Sequence, residues 1–516
     1  MKPPTRTPVL ATLGIVLVSI LLSAGCTMVG PKYKPPTATV QPEWTDLEDP
    51  QLSREPVVDP QWWSSAFQDP VLDRLIEDAL SQNLTLRSAG LRVLQAQQNL
   101  SIAMGKRYPQ QQALTGSAGV TRLSNNAMDH LPLLHDDFAT YSLGFNLAWE
   151  ADFWGKYRRM VQQAAAGLDA SVAGYDDAMV ALIAGVAQNY LMVRTLQNRL
   201  EIANTNVELQ SQAVEITRAK FEGGVVSELD LDQAETLLHN TRASVASLEL
   251  SMQQMKNSLA ILLGKPPGGL GDLLDDPGPI PSVPAEIAVG MPQNLIRRRP
   301  DIRIAERQLA AQGAQVGIAV SELYPQFTIA GSIGAGTNNN SGQSIIDLFD
   351  ADSVSFGLVG SFNWNIFNYG RLKSNIRLQD AVFQQQLVDY RETVLEAQGE
   401  VENAIVAYLK SQEQLASYER AADFAQRAVD ISKVQYEDGS VTFNTVITTL
   451  KALASQQDLQ ASTQGSVATN LVQVYKSLGG GWEVRAGQDP VELLPEETRD
   501  EMRTRLPKRW KKVLPE

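Results

Sequence analysis

Cysteine and histidine are almost missing: one Cys, Cys26, and three His in 516 residues. A single cysteine excludes an intrachain disulfide. Of the histidines, His239 stands alone in a helical pattern, while His130 and His135 share a polar loop with Asp129, Asp136 and Asp137. Two imidazoles and a carboxylate form a conceivable metal set, but a solvated loop explains the same residues, so no metal or cofactor is expected. No nucleophile elbow, P-loop or dinucleotide fingerprint occurs, and the Gly run at 479–481 reads as a helix stop. The chain therefore does not read as an enzyme. Positive charge is short as well, with 44 Lys and Arg against 58 Asp and Glu and a net charge of −14. That balance argues against a nucleic-acid partner, which needs basic patches. Past residue 22 no run reaches the ~18 continuous apolar residues of a membrane-spanning helix. Proline is absent from 156–219 and again from 371–435, although the chain has 26 prolines.

What is present is present twice. Trp149-Glu150-Ala151-Asp152-Phe153-Trp154-Gly155-Lys156 returns 215 residues later as Trp364-Asn365-Ile366-Phe367-Asn368-Tyr369-Gly370-Arg371. Phe221-Glu222-Gly223-Gly224 returns as Tyr436-Glu437-Asp438-Gly439, and Leu263-Gly264 as Leu478-Gly479, at the same offset. A repeat this long exceeds the roughly 20–50 residues of a solenoid unit and indicates a duplicated domain. The expected divisions are a signal peptide at 1–25, an anchored extended leader at 26–70 and a first repeat at 71–264. A Pro-rich linker at 265–292, a second repeat at 293–480 and a polar tail at 481–516 follow.

The first 25 residues carry Lys2 and Arg6, an apolar run over 9–22, and small residues before Cys26, the pattern of a secretory signal. Ser23-Ala24-Gly25-Cys26 resembles a lipobox, which makes Cys26 the candidate lipid attachment residue. The Pro-rich leader reads as extended chain, pinned by Trp44, Trp62, Trp63 and Phe67. Each repeat opens with a helical pattern, 71–105 and 293–322, ended by Pro109 and Pro325. The period then changes to two. Tyr141, Leu143, Phe145, Leu147 and Trp149 alternate with Ser142, Gly144, Asn146 and Ala148, and Phe356, Leu358, Phe362 and Trp364 alternate with small residues such as Gly357, Ser361 and Asn363. With 112–122 and 327–334 they make two hairpins, at 112–149 and 327–367, of the length of tilted membrane-spanning strands. A half-buried soluble sheet alternates in the same way, but only four strands are read, too few for a sandwich. Tyr141, Phe145, Leu147, Trp149, Phe356, Phe362 and Trp364 are expected to face lipid; Ser142, Asn146, Ser361 and Asn363 are expected to face water. The proline-free stretches predict helices of about 95 Å, at 1.5 Å per residue. Their heptad-like apolar steps, Met179, Leu182, Val186, Tyr190 and Val193 among them, call for partner helices. Both turn at Gly (Gly224, Gly439) and return over 227–263 and 442–478. The tail beyond Trp482 is polar, ends in a basic cluster and is expected to be poorly ordered.

Three motifs carry a resemblance: Cys26-Thr27-Met28-Val29-Gly30-Pro31-Lys32-Tyr33, Arg298-Arg299-Pro300-Asp301-Ile302 with Ala305-Glu306, and Tyr475-Lys476-Ser477-Leu478-Gly479-Gly480-Gly481-Trp482. Together they resemble the outer-membrane factor, or TolC-type efflux, family in its NodT-like lipoprotein branch. The resemblance implies a mainly α fold with a transmembrane β-barrel portion. Each protomer of a homotrimer gives four strands to a 12-stranded outer-membrane barrel and long helices to a periplasmic α-helical barrel. It also implies a passive gated duct for small molecules, served by a periplasmic adaptor and an inner-membrane RND-type pump. The strand count agrees, because four strands cannot close and open edges are not tolerated in lipid. The family gates its periplasmic end just after the second Gly turn, often with acidic residues; this chain has Thr445, Val446, Ile447, Thr448 and Thr449 there. Gly223, Gly224, Val225, Asp230, Tyr436, Gly439, Val441, Thr445, Thr448 and Thr449 are the candidate tip, gate and adaptor-docking residues, with Val226 and Phe443 as further apolar contacts. Asp230 and Asp232 are equally explained as acids at a helix start. A lipid-anchored periplasmic adaptor is the alternative reading, weakened by the two aromatic hairpins and the full-length duplication.

Overall fold

The computed structural model of the protein describes residues 28–55, 59–122, 137–270, 274, 276–339 and 342–505. Cys26, His130 and His135 lie outside the described residues. In chain order the elements are β1 (Leu52–Ser53), α1 (Trp62–Phe67), α2 (Pro70–Gln82), α3 (Leu84–Gly105), β2 (Gln111–Arg122), β3 (Asp137–Ala151), α4 (Lys156–Glu222) and α5 (Glu228–Leu262). There follow β4 (Ile287–Ala288), α6 (Pro292–Arg298), α7 (Pro300–Ser321), β5 (Gln326–Asn338), β6 (Val354–Asn363), α8 (Arg371–Glu437), α9 (Phe443–Ser477) and α10 (Glu496–Arg505). The chain divides into two compact units, one built on 95–170 and 306–389 with the leader up to residue 36, the other on 37–94, 171–305 and 390–505.

The first unit holds one antiparallel sheet in the order β2-β3-β5-β6. Register is continuous: Phe145 lies opposite Leu114 on one side and Ile333 on the other, and Ile333 opposite Phe356. The outer sides of β2 and β6 have no strand partner among the described residues. β6 ends at Asn363, opposite Gln326, the first residue of β5. Trp364 and Ile366, expected in the strand, therefore lie beyond the ladder, because β5 offers them nothing to pair with.

In the second unit the long helices pack by their apolar steps. Val186, Tyr190 and Val193 of α4 are fully buried, as are Val401, Ile405 and Tyr408 of α8 and Leu471, Val472 and Val474 of α9. α4 contains an 18-residue window apolar enough to cross a bilayer, but 72% of that window is buried within the chain, as in a core helix. Trp62 stacks on Tyr475 with ring centroids 4.8 Å apart, and the Trp44 indole donates to the Gly290 carbonyl at 3.1 Å. These contacts, with buried Trp63 and Phe67, hold the later leader in place.

Four expectations need correction. The helix read over 71–105 is two helices, broken at Asn83, whose backbone is extended at ψ 126°. Asn83 accepts from the Leu86 amide and donates to the Leu262 carbonyl, both at 2.8 Å, so it caps α3 and ties it to α5. The helix read over 293–322 breaks at Arg299, with ψ 123°. A residue before proline is pushed out of the helical region, and Pro300 then suits the first position of α7. Beyond the four sheet strands, β1 and β4 form a two-residue parallel pair, Leu52 with Ile287 and Ser53 with Ala288, too short for a periodicity to reveal. Finally, the chain beyond Trp482 is folded as far as Arg505. A 3-10 turn, Trp482–Arg485, and α10 carry it, and Leu494 is buried at 3% exposure against Gly90. Ion pairs such as Arg485–Asp176 are also among the contacts that fix it, so a polar composition does not leave it loose.

Candidate channel surfaces

Alternation along the strands sorts the sheet into two chemically distinct faces. One carries Leu114 and Val120 of β2, Tyr141, Leu143, Phe145, Leu147 and Trp149 of β3, Phe327, Ile329 and Ile333 of β5, and Phe356, Leu358 and Phe362 of β6. Phe356 is 86% exposed and Val120 82%, so no described residue covers the apolar surface at these positions. The other face carries Thr115, Ser117, Ser142, Asn146, Thr328, Ser332, Ser361 and Asn363. Its side chains bond to each other: the Ser117 and Ser142 hydroxyls are 2.8 Å apart, and the Asn146 amide donates to the Thr115 hydroxyl at 2.9 Å. The two related tryptophans close the strand ends alike. The Trp149 indole donates to the Arg107 carbonyl at 3.3 Å, and the Trp364 indole to the Leu323 carbonyl at 3.0 Å.

Beside this sheet the early leader is locked down by Arg159. Its guanidinium donates to the Val29 carbonyl at 3.1 and 3.2 Å and to the Gly30 carbonyl at 3.1 Å. Burial lowers the pKa of this arginine. Tyr33 donates to the Glu306 carboxylate at 3.2 Å. Nothing local points to Arg159 from sequence alone, since an arginine in the first turn of a long helix looks solvated.

In the second unit the two Gly turns have the same construction. At the first, Val225 N–H donates to the Lys220 carbonyl at 2.8 Å and Gly224 N–H to the Phe221 carbonyl at 2.9 Å. At the second, Ser440 donates to Gln435 at 2.8 Å and Gly439 to Tyr436 at 3.2 Å. This six-to-one plus five-to-two pairing requires a left-handed residue, and Gly224 (φ 69°) and Gly439 (φ 74°) supply it. The helix ends at Gly264 (φ 68°) and Gly479 (φ 70°) repeat the pattern.

The two turns pack together. Val214, Leu237 and Leu238 share a buried cluster with Val429, Phe443, Val446, Ile447 and Leu450. Lys220 places its ammonium 3.7 Å from the centre of the Tyr436 ring, and Tyr436 lies 5.3 Å from Phe443. Burial, and then the charge of Asp230, raise the Tyr436 pKa. Arg218 and Glu235 form an ion pair nearby.

The candidate tip residues separate into three groups. Gly223, Val225, Gly439, Thr445 and Thr448 are exposed, Val225 at 73%, and Val226 and Val441 are half-buried. Phe443 is buried within the chain, and Thr449 bonds to the Ser432 hydroxyl at 2.8 Å, so both are engaged internally. Asp230 is occupied in a capping box: it accepts from the Ser227 amide at 3.1 Å while its own amide donates to the Ser227 hydroxyl. The repeat mate of Asp230 is Thr445, and the related N-cap, Thr442, has no side-chain capping bond.

Two of the sequence motifs, some 180 residues apart, meet at the other end of α9. Arg299 donates to the Ser477 carbonyl at 2.8 Å, to Asp301 at 2.6 and 3.0 Å, and to Glu400 at 2.7 Å. Burial lowers the Arg299 pKa, but these two carboxylates outweigh it and raise the net value. Gly479 lies so close that a Cβ on it would sit 3.1 Å from the Arg299 Cα. The Trp482 indole donates to the Arg298 carbonyl at 3.1 Å. These motifs are a packing joint; no substrate-facing chemistry is seen in them. Among the described residues no group of three or more metal-ligating side chains occurs.

Comparison with known proteins agrees with this geometry. The family model described as "Outer membrane efflux protein" matches residues 75–265 and again 291–480. "Nodulation protein T" of Rhizobium leguminosarum bv. trifolii is 32% identical over 448 residues, covering 87% of this chain and 91% of the relative. "Pyoverdine export outer membrane protein OpmQ" of Pseudomonas putida is 31% identical, covering 87% and 94%. The solved outer-membrane channel OprN is 30% identical with a TM-score of 0.81, covering 88% of this chain and 99% of the channel.

Proposed function

The chain belongs to the outer membrane efflux protein family, and on that premise we propose how it forms a duct. It is an outer-membrane efflux channel, and its family is a transport family rather than an enzyme family. The alternative reading as a periplasmic adaptor is not supported, since the matching family and solved neighbour are outer-membrane channels. Such channels work with an adaptor and an inner-membrane pump.

The observation that carries the duct is the sheet: one largely apolar face, one polar face, and two strand edges, β2 and β6, without partners among the described residues. Unpaired backbone groups in hydrocarbon cost several kcal/mol each, so β2 of one copy pairs with β6 of the next until a barrel closes. Three copies give twelve strands, an even number in the range of known barrels. Each repeat, 71–264 and 293–480, contributes one β-hairpin and one helical hairpin. Tyr141, Phe145, Leu147, Trp149, Phe356 and Phe362 face lipid, and Trp364 sits at the rim. Ser142, Asn146, Ser361 and Asn363 line water. Cys26, after cleavage of the signal at 1–25, carries lipid. The turns at Gly224 and Gly439, with Val225 and Val441, meet the adaptor, and the exposed Thr445 and Thr448 narrow the duct. A lumen of Ser, Thr, Asn and Gly gives little discrimination, so the pump selects which small molecules pass.

The reading is tested by mass and conductance of the protein purified in detergent. The expected result is a particle of three chains that forms ion-conducting channels in planar bilayers. A monodisperse single chain without conductance would overturn it.

A further inference from the structure

The strand-to-helix turn of the first repeat borders an open groove of about 720 Å³. Trp149, Phe153, Phe327, Ile329 and Phe362 line it on the apolar face of the sheet. Its aromatic rings are ranked side by side: Phe153 lies 5.1 Å from Phe327, and Phe327 6.3 Å from Phe362. The nearby Asp152 and Arg158 neutralise each other, with the guanidinium donating at 3.0 Å.

The described chain begins on the strand-to-helix turn that borders this groove. Val29 N–H donates to the Trp154 carbonyl at 3.0 Å, and Met28 packs so tightly on Gly155 that a Cβ there would lie 2.5 Å from its Cγ. Cys26 is two residues further out, a reach of about 7 Å in extended chain. The second repeat gives an internal comparison. Gly370, the mate of Gly155, has open space around it, Tyr369 beside it is fully exposed, and the mate of Phe153 is Asn368. Among the described residues, the first of the two related turns has both a leader seated on it and an aromatic groove next to it, and Gly370 of the second has open space instead.

We propose that this groove seats the acyl chains borne by Cys26, so that the anchor lies against its own sheet instead of dispersing in the leaflet. The inference rests on the reading of Cys26 as the lipidated residue. The covalent tether favours this occupant, because a chain attached two residues from Met28, which sits on the turn beside the groove, presents a high local concentration. The competing occupant is a free phospholipid, with Arg107 at the groove's rim offering a cation to its phosphate.

The test places a photoreactive benzophenone amino acid at position 362 of the full chain in bacterial membranes. Position 329 serves as a second site should the first variant fail to assemble. Position 356, some 20 Å along the strand at 3.3 Å per residue, is the control. After irradiation and trypsin digestion, peptide 26–32 with its lipid is expected on the strand peptide as a mass shift. That product should be lost in Cys26→Ser and absent from the control. If peptide 26–32 carries lipid but positions 362 and 329 capture only phospholipid, the inference is overturned and lipidation stands. If peptide 26–32 carries no lipid, both fall.

Discussion

Arg485 and Asp176 meet in a two-pronged ion pair, at 2.6 and 3.2 Å, across 309 residues of sequence. The carboxylate is wholly buried, and Arg303 adds a third bond at 3.1 Å. A charge this deep is tolerated only because both its oxygens are paired. Asp176→Ala leaves two arginines without their anion, and such breakage costs about 3–5 kcal/mol. The expected outcome is a lower unfolding midpoint in detergent and release of 482–505 to protease. An unchanged midpoint would mean that this ion pair contributes nothing to the fold.

The same pair shows where sequence reading stops. Asp176 stands within an apolar helical run and Arg485 in a polar tail, and nothing local to either announces the other. The strands and long helices were legible because they depend on periodicity, while the barrel they build came from the family resemblance. The change from a period of two at 140–149 to a long proline-free helical stretch follows from side-chain geometry alone, and β3 and α4 follow it. The helix break at Arg299 was also readable, since Pro300 restricts its neighbour, but the apolar spacing across it masked the effect. The break at Asn83 was not, because besides its local cap on the Leu86 amide it is fixed by a bond to the Leu262 carbonyl, 179 residues away. At the tip, the turn glycines were legible by composition. The inward hydroxyl of Thr449 was not, since Thr448 and Thr449 differ only in their angle around α9.

Gly439 and Gly399 predict opposite signs for one substitution. Gly439 holds φ 74° at the end of α8, where a side chain is strained by about 1–2 kcal/mol. Gly399 lies within α8 with open space where a Cβ would stand, and there alanine gains about 0.5–1 kcal/mol from helix propensity. Gly439→Ala should speed amide exchange over 434–440, and Gly399→Ala should slow exchange around it. A parallel response would contradict the capping assignment.

The face assignment is checked with single cysteines in a Cys26→Ser background. Thiols at 146 and 361 should react with water-soluble maleimides in intact membranes, and thiols at 145 and 356 should not. Phe356→Arg places a charge on the apolar face, at a cost of about 2–4 kcal/mol near the bilayer midplane. Ser355→Arg, one residue along, should cost far less. Reversed labelling would place the polar face in lipid.

Thr448 and Thr449 divide the gate question between them. Thr448 is exposed and bonds only to the Asn444 carbonyl of its own helix, at 2.8 Å. Thr449 is half-buried and bonds to Ser432 across the α8–α9 contact, beside Val446 and Leu450. In the proposed trimer, Thr448→Asp adds three carboxylates around the axis, and like charges repel with a strength set by distance and screening. Channel opening should therefore rise at low salt. It should fall back toward wild type at high salt, as the screening length shrinks from about 8 Å at 0.15 M to about 3 Å at 1 M. Thr449→Asp acts through another cause: it drives a carboxylate into an internal contact and leaves Ser432 without its neutral partner, at about 1–3 kcal/mol. Its effect should appear as faster amide exchange in 429–450 and should persist at 1 M salt. Single-channel recordings of both variants across a salt series separate the two. If Thr448→Asp conducts like wild type at low salt, Thr448 does not face the axis and the constriction lies elsewhere along the duct.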